Sequence, residues 1–232
     1  MANKKKKDNK KVFIIGAAAD PDSIKLTRET FPAAELWSVN NLFVRFQDIR
    51  FDRWFELHQF ARFKRVLCRR GVTTYQDVPI KEYMAKINAL DCPVYMQRKW
   101  PQIKRSREYP FREIMEKYGR YFGCSFAWMM ALALEEGFKE IVFRGVLLVG
   151  KEYYYQRPSV EYLVGLARGR GINVAIGADS MLLEEPWVYA CEESFGLIDA
   201  LFGKHADAIA TTALAAYQIG LVNAYYSDSG AD

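Results

Sequence analysis

The sequence predicts a Rossmann-like α/β fold: a mostly parallel, three-layer sheet with a helical C-terminal extension. Three observations carry this. Residues 12–15 (VFII) form a short apolar run that stops at Gly16 and opens into small residues. A second apolar run, 141–143, ends near Gly145, and a third covers 172–176. Between such runs lie segments with helical periodicity, and alternation of this kind argues for a parallel sheet with helices on its faces.

The elements follow in order. After the first strand, 23–30 suits a short helix, with Asp22 or Ser23 to cap it. Residues 34–39 form a second strand ending at Asn40-Asn41, and 54–57 a third closed by His58. Residues 79–90 place Ile80, Tyr83, Ile87 and Leu90 on or near one helical face, with Pro79 in the first turn. Residues 93–96 read as a strand. The polar stretch 99–110, broken by Pro101 and Pro110, reads as a surface loop. Helices are expected at 111–118, at 126–136 before Gly137, and at 159–168 before Gly169 and Gly171. Beyond Glu184 the composition changes. Pro186 breaks the pattern, and 195–202 and 205–226 read as two helices that pack on the sheet or form a homodimer. The domains expected are a disordered basic tail (1–11), a nucleotide-binding domain (12–185) and the helical extension (186–232).

The net charge of +5 lies in the tail. Residues 1–11 hold six lysines and one aspartate, and the remainder has 27 basic and 27 acidic residues. Such a tail buries nothing. It serves solubility or gives loose, salt-sensitive attraction to DNA or another polyanion. Cys68, Cys92, Cys124 and Cys191 are scattered without metal-ligand spacing, which suggests free thiols in a reducing compartment. No signal peptide and no membrane-spanning run is read, so a cytoplasmic location is expected.

Candidate site residues gather at strand ends, where an open parallel sheet places its ligand. The loop Gly16, Ala17, Ala18, Asp20 and Ser23 can offer backbone N–H groups to a phosphate. Asn40 and Asn41 can bond a ribose, base or phosphate, or simply make a turn. Ser125 caps the following helix, and a phosphate would use the same geometry. In the cluster Tyr153-Tyr154-Tyr155-Gln156-Arg157, a tyrosine can stack on a base and Arg157 can clamp a phosphate. His58 is a general base, a phosphate donor or simply a partner of a neighbouring carbonyl, whereas His205 reads as structural or solvated. No metal grouping, Walker loop or serine-hydrolase elbow is present.

The order FIIGAAADPDSIK, ELWSVNNLF, FGCSFAWMMALALEEGFKEIVFRGV, NVAIGADSMLL resembles bacterial sialyltransferases of glycosyltransferase family forty-two. It also resembles the related MptE-like group and many bacteriophage proteins, over roughly residues 12 to 185. The resemblance places the donor nucleotide on the loop 16–23, on Asn40-Asn41, on Cys124-Ser125-Phe126, and on Asp179-Ser180-Met181-Leu182-Leu183. This adds Gly145 and Ser180 to the nucleotide-binding set. Two positions depart from the family. Gly145-Val146-Leu147 stands where the family has Gly-Ile-Asp, and the catalytic histidine falls near Tyr154 or Tyr155. A tyrosine has an ordinary pKa of ~10. So either a tyrosine is activated, or His58 takes the proton, or the chain only binds. The function implied is a phage-type glycosyltransferase with a nucleotide-sugar donor, no tightly bound cofactor and DNA bases as an acceptor suggested by the tail. The alternative is a non-catalytic nucleotide binder, such as a sponge for a host signalling nucleotide.

Overall fold

A computed structural model describes residues 10–59, 65, 71, 73–149, 153 and 155–184. The helices expected at 195–202 and 205–226, and residues 1–9 of the tail, lie outside the described residues.

Seven strands form one sheet: β1 (Lys11–Ile15), β2 (Glu35–Val39), β3 (Arg53–Glu56), β6 (Val94–Met96), β7 (Ser106–Glu108), β8 (Glu140–Arg144) and β9 (Asn173–Ile176). Their order is β7-β6-β3-β2-β1-β8-β9, and every pairing is parallel. The expected Rossmann-like α/β architecture is therefore present. A strand covered on both faces has no polar side to show, which is why β1 reads as an unbroken apolar run. Val12 and Ile14 enter one core cluster and Phe13 and Ile15 the other, so the period of two distributes them between the two layers.

One face carries α3 (Phe111–Tyr118), α4 (Ser125–Glu135) and α5 (Arg157–Gly169); the other carries α1 (Pro21–Thr30) and α2 (Ile80–Ala89). Helix α4 is apolar nearly all round, and its residues 129–134 are all buried. A helix of that composition must be covered on every side, and α3, α5 and the sheet cover it.

Several expectations are corrected. The first strand starts at Lys11, inside the expected tail. Lys11 pairs in register with Glu140, and its ammonium lies 2.8 Å from the Glu140 carboxylate and 4.0 Å above the Phe31 ring. Helix α1 begins at Pro21, and the cap is Asp20, which accepts from the Ser23 N–H at 2.8 Å. Neither Asp22 nor Ser23 caps it. The segment 99–110 is not a surface loop. Trp100, Ile103, Ser106 and Tyr109 are buried, and β7 forms the sheet edge. A polar edge strand with one buried side chain lacks the apolar signature of a central strand. Residues 74–79 contain a hairpin of β4 (Thr74–Tyr75) and β5 (Val78–Pro79), which the sequence does not announce. Ser125 is the first residue of α4, and the cap position belongs to Cys124, which makes no capping hydrogen bond. Helix α5 starts at Arg157, two residues earlier than expected.

Candidate nucleotide site and its histidine

Strand order runs outward from β1 in both directions, to β2 on one side and to β8 on the other. Such a reversal leaves a crevice at the carboxyl ends of the strands. A cavity of about 820 Å³ lies there, a volume that suits a small-molecule ligand. Its walls come from the loops after β1, β2, β3 and β8 and from the starts of α4 and α5.

The structure brings Ala17, Ala18, Asn40, Asn41, His58, Ser125, Gly145 and Gln156 to this cavity. Gly16, Asp20, Ser23, Tyr155, Arg157 and Ser180 are not in its walls, and Tyr154 lies outside the described residues. Gly16, Asp20, Ser23, Arg157 and Ser180 each have another occupation. A Cβ at Gly16 would stand 2.4 Å from the Gly145 carbonyl oxygen, so the small residue there admits the neighbouring loop. Asp20 is the α1 cap. Ser23 Oγ accepts from Arg144 at 2.6 Å. Arg157 pairs with Glu161 at 3.1 Å, one turn along the helix. Ser180 is buried and donates to the Val146 carbonyl at 2.6 Å, while the Met181 N–H bonds the Leu147 carbonyl at 2.9 Å. Ser180 therefore shapes the loop after β8 from beneath. Tyr155 is 87 % exposed.

Two features make the cavity suited to an anion with an aromatic attachment. Helix α4 opens into it through Cys124, Ser125 and Phe126 without a side-chain cap hydrogen bond, so the positive helix end lies at the space. Phe122 and Trp128 stack at 3.7 Å on its wall. Asn40 has a left-handed backbone (φ 56), and its Oδ1 is buried without a hydrogen-bond partner among the described residues. A bound ligand donor or water would relieve that cost of about 1–3 kcal/mol. Burial holds the Cys124 thiol above its ordinary range, against the backbone N–H groups of Ala127 and Phe126. It is thus a neutral wall residue rather than a thiolate.

Sequence reasoning missed the most organised group here. Glu56, at the end of β3, is 1 % exposed. His58 Nδ1 lies 2.6 Å from its Oε1. Tyr75 O–H donates to Oε1 at 3.3 Å, Gln76 Nε2 donates to Oε2 at 3.0 Å, and Tyr83 O–H donates to Oε2 as well. A buried carboxylate requires such partners. Burial, and then the Glu56 charge, raise the Tyr83 phenol well above its ordinary value, so it remains a donor. The available signal was the spacing Glu56-Leu57-His58, which puts the acid and the imidazole on one side of an extended segment. Among the described residues no group of His, Cys, Asp or Glu has a metal-holding arrangement, and no helix is long and apolar enough to cross a membrane.

No family model and no curated protein matches the chain. Among solved structures the chain is similar to the sialyltransferase CstII from Campylobacter jejuni. With cytidine-5'-monophosphate bound, that structure shows 10 % identity and a TM-score of 0.45, covering 82 % of this chain and 97 % of the other. In complex with CMP-3FNeuAc it shows 11 % identity and a TM-score of 0.49, covering 82 % and 99 %. Likeness at this level does not assign an activity.

Proposed function

We propose that the chain is a glycosyltransferase that holds a nucleotide-sugar donor in the crevice and uses His58 as its base. The observation that carries this is the imidazole on the cavity wall, fixed by a buried carboxylate and placed in the same cavity as the uncapped start of α4. With Nδ1–H given to Glu56, Nε2 carries the lone pair. It takes the acceptor hydroxyl proton as the new C–O bond forms at the sugar. The bond from sugar to phosphate breaks, and the departing nucleotide phosphate is stabilised by N–H groups at the start of α4. The stacked Phe122 and Trp128 offer a face for the base. The lysine-rich tail motivates DNA as an acceptor.

A second reading has its own support. Leu147 lines the cavity where the resembled family has an acid, and no lysine or arginine lines it among the described residues. A non-catalytic nucleotide binder would have no use for that acid.

One experiment separates the two. Nucleotides are screened by thermal shift, and hits are followed by donor-turnover assays on the parent protein and on His58→Ala. The enzyme reading expects turnover to fall ~100-fold or more with nucleotide affinity kept. Tight nucleotide binding without turnover of any donor by the parent would leave the binder in place.

A further inference from the structure

Glu56 and His58 are not oriented by β3 alone. The hairpin β4–β5 turns at Gln76 and Asp77, both left-handed, with φ of 49 and 61. Two left-handed residues in a two-residue turn make the arrangement that Asn-Gly fills without strain. Aspartate tolerates this conformation but glutamine is costly there, and such strain persists where the surroundings over-determine it. Here the surroundings are the site. The Gln76 carbonyl accepts from Asn41 Nδ2 at 2.8 Å, and the Gln76 amide reaches Glu56 Oε2 at 3.0 Å.

Hydrogen-bond bookkeeping assigns the roles. Gln76 Nε2 also lies 3.0 Å from His58 Nδ1. Nδ1 has one in-plane position, and the 2.6 Å contact to Glu56 occupies it with a proton. A donor cannot bond a nitrogen that is itself donating, so the Gln76 amide acts through Glu56. The carboxylate then has the His58 imidazole, the His58 backbone N–H at 3.4 Å and Tyr75 on Oε1, and Gln76 and Tyr83 on Oε2. Removing Gln76 leaves Oε2 to the Tyr83 hydroxyl and takes away the one donor that also borders the imidazole, so the carboxylate can tilt away from His58.

We propose that Gln76 is a positioning residue: held in a strained turn, its amide locks the Glu56 carboxylate and so fixes His58 as the Nδ1-protonated tautomer at the crevice. The inference rests on reading His58 as the base, but its test does not need turnover. The chain has two histidines, so nitrogen NMR of the full-length protein, with His58→Ala for assignment, reports the His58 tautomer directly.

The variants are Gln76→Gly and Asp77→Gly, with Gln76→Asn as a second probe that tolerates the same backbone. Glycine relieves the turn at either position, so Asp77→Gly should melt at or above the parent temperature, while in Gln76→Gly that relief is offset by the lost donor to the buried carboxylate and the variant should stay folded with a lower melting temperature. Only the position-76 variants should change the His58 signal, from one dominant tautomer to a mixture. If donor turnover is measurable, kcat should fall about 10- to 100-fold at position 76 with donor KM unchanged. Asp77→Gly should leave it alone. An unchanged His58 signal in folded Gln76→Gly or Gln76→Asn overturns the proposal. So does an equal change in Asp77→Gly, which would assign the effect to turn stiffness. A tautomer response in a protein that turns over no donor keeps the positioning role and rejects the transferase reading instead.

Discussion

Cys92 is 3 % exposed in the core cluster beneath α2. Burial, with the Asp52 charge adding to it, pushes its thiol up to about 12. The consequence for stability has a definite sign. Below about pH 8 both folded and unfolded chains largely keep this proton. From there to about 12 the unfolded chain releases it and the folded chain does not, so stability falls as pH rises. Cys92→Ala removes this component. The difference in urea midpoint between parent and variant should therefore narrow, or reverse in favour of the variant, from pH 8 to pH 10.5. A constant difference across that range would show that the thiol is not held neutral. Buried tyrosines such as Tyr83 and Tyr109 are raised too, which is why the comparison with the variant is needed. At the same scale, Gly145 shows how tightly the crevice is built. Its φ is +62, and a Cβ there would lie 1.9 Å from the Ala19 nitrogen.

At the scale of elements, the start of β1 ties the chain's beginning to the sheet centre. The Lys10 carbonyl accepts from the N–H groups of Lys139 and Glu140 at 2.8 and 3.2 Å. Lys11 adds its ion pair with Glu140 and its place over Phe31. Truncation should therefore have a sharp boundary. Deleting residues 1–9 should change unfolding free energy by no more than about 0.5 kcal/mol, since a lysine-rich segment has little to bury. Deleting 1–11 should cost about 2–3 kcal/mol, from two backbone hydrogen bonds at about 1 kcal/mol each and a modest charge contribution. Chemical denaturation of the two truncations checks this; equal stabilities would mean the strand effectively starts at Val12.

For the whole molecule, the charge is partitioned between a basic terminus and a balanced body. Four lysines fall within residues 1–9. If the tail holds DNA near the crevice, deleting 1–9 should weaken binding and lower the slope of log K against log salt by about three. Fluorescence anisotropy with a short duplex across a salt series measures it. Absence of binding by both proteins at low salt would remove DNA as the acceptor.

What the sequence determined by itself is what burial on both faces writes into it. Residues 12–15 and 141–143 are apolar because β1 and β8 are interior strands, and 126–134 is apolar because α4 is enclosed. Each leaves a continuous local signal, and the alternation of such signals implies the parallel sheet. Several residues now lining the cavity were also legible, because an open parallel sheet collects its strand ends on one side. The edge strand β7 was not legible, since Ser106-Arg107-Glu108 pairs through its backbone and buries one side chain. The hairpin was not, since Gln76-Asp77 lacks the glycine that announces such a turn. That Glu56 is a buried partner of His58 emerges from the folded chain alone. Its environment is assembled from β3, the β4–β5 hairpin and α2, elements up to 27 residues apart, and no local pattern encodes a desolvated carboxylate whose donors arrive from elsewhere in the chain.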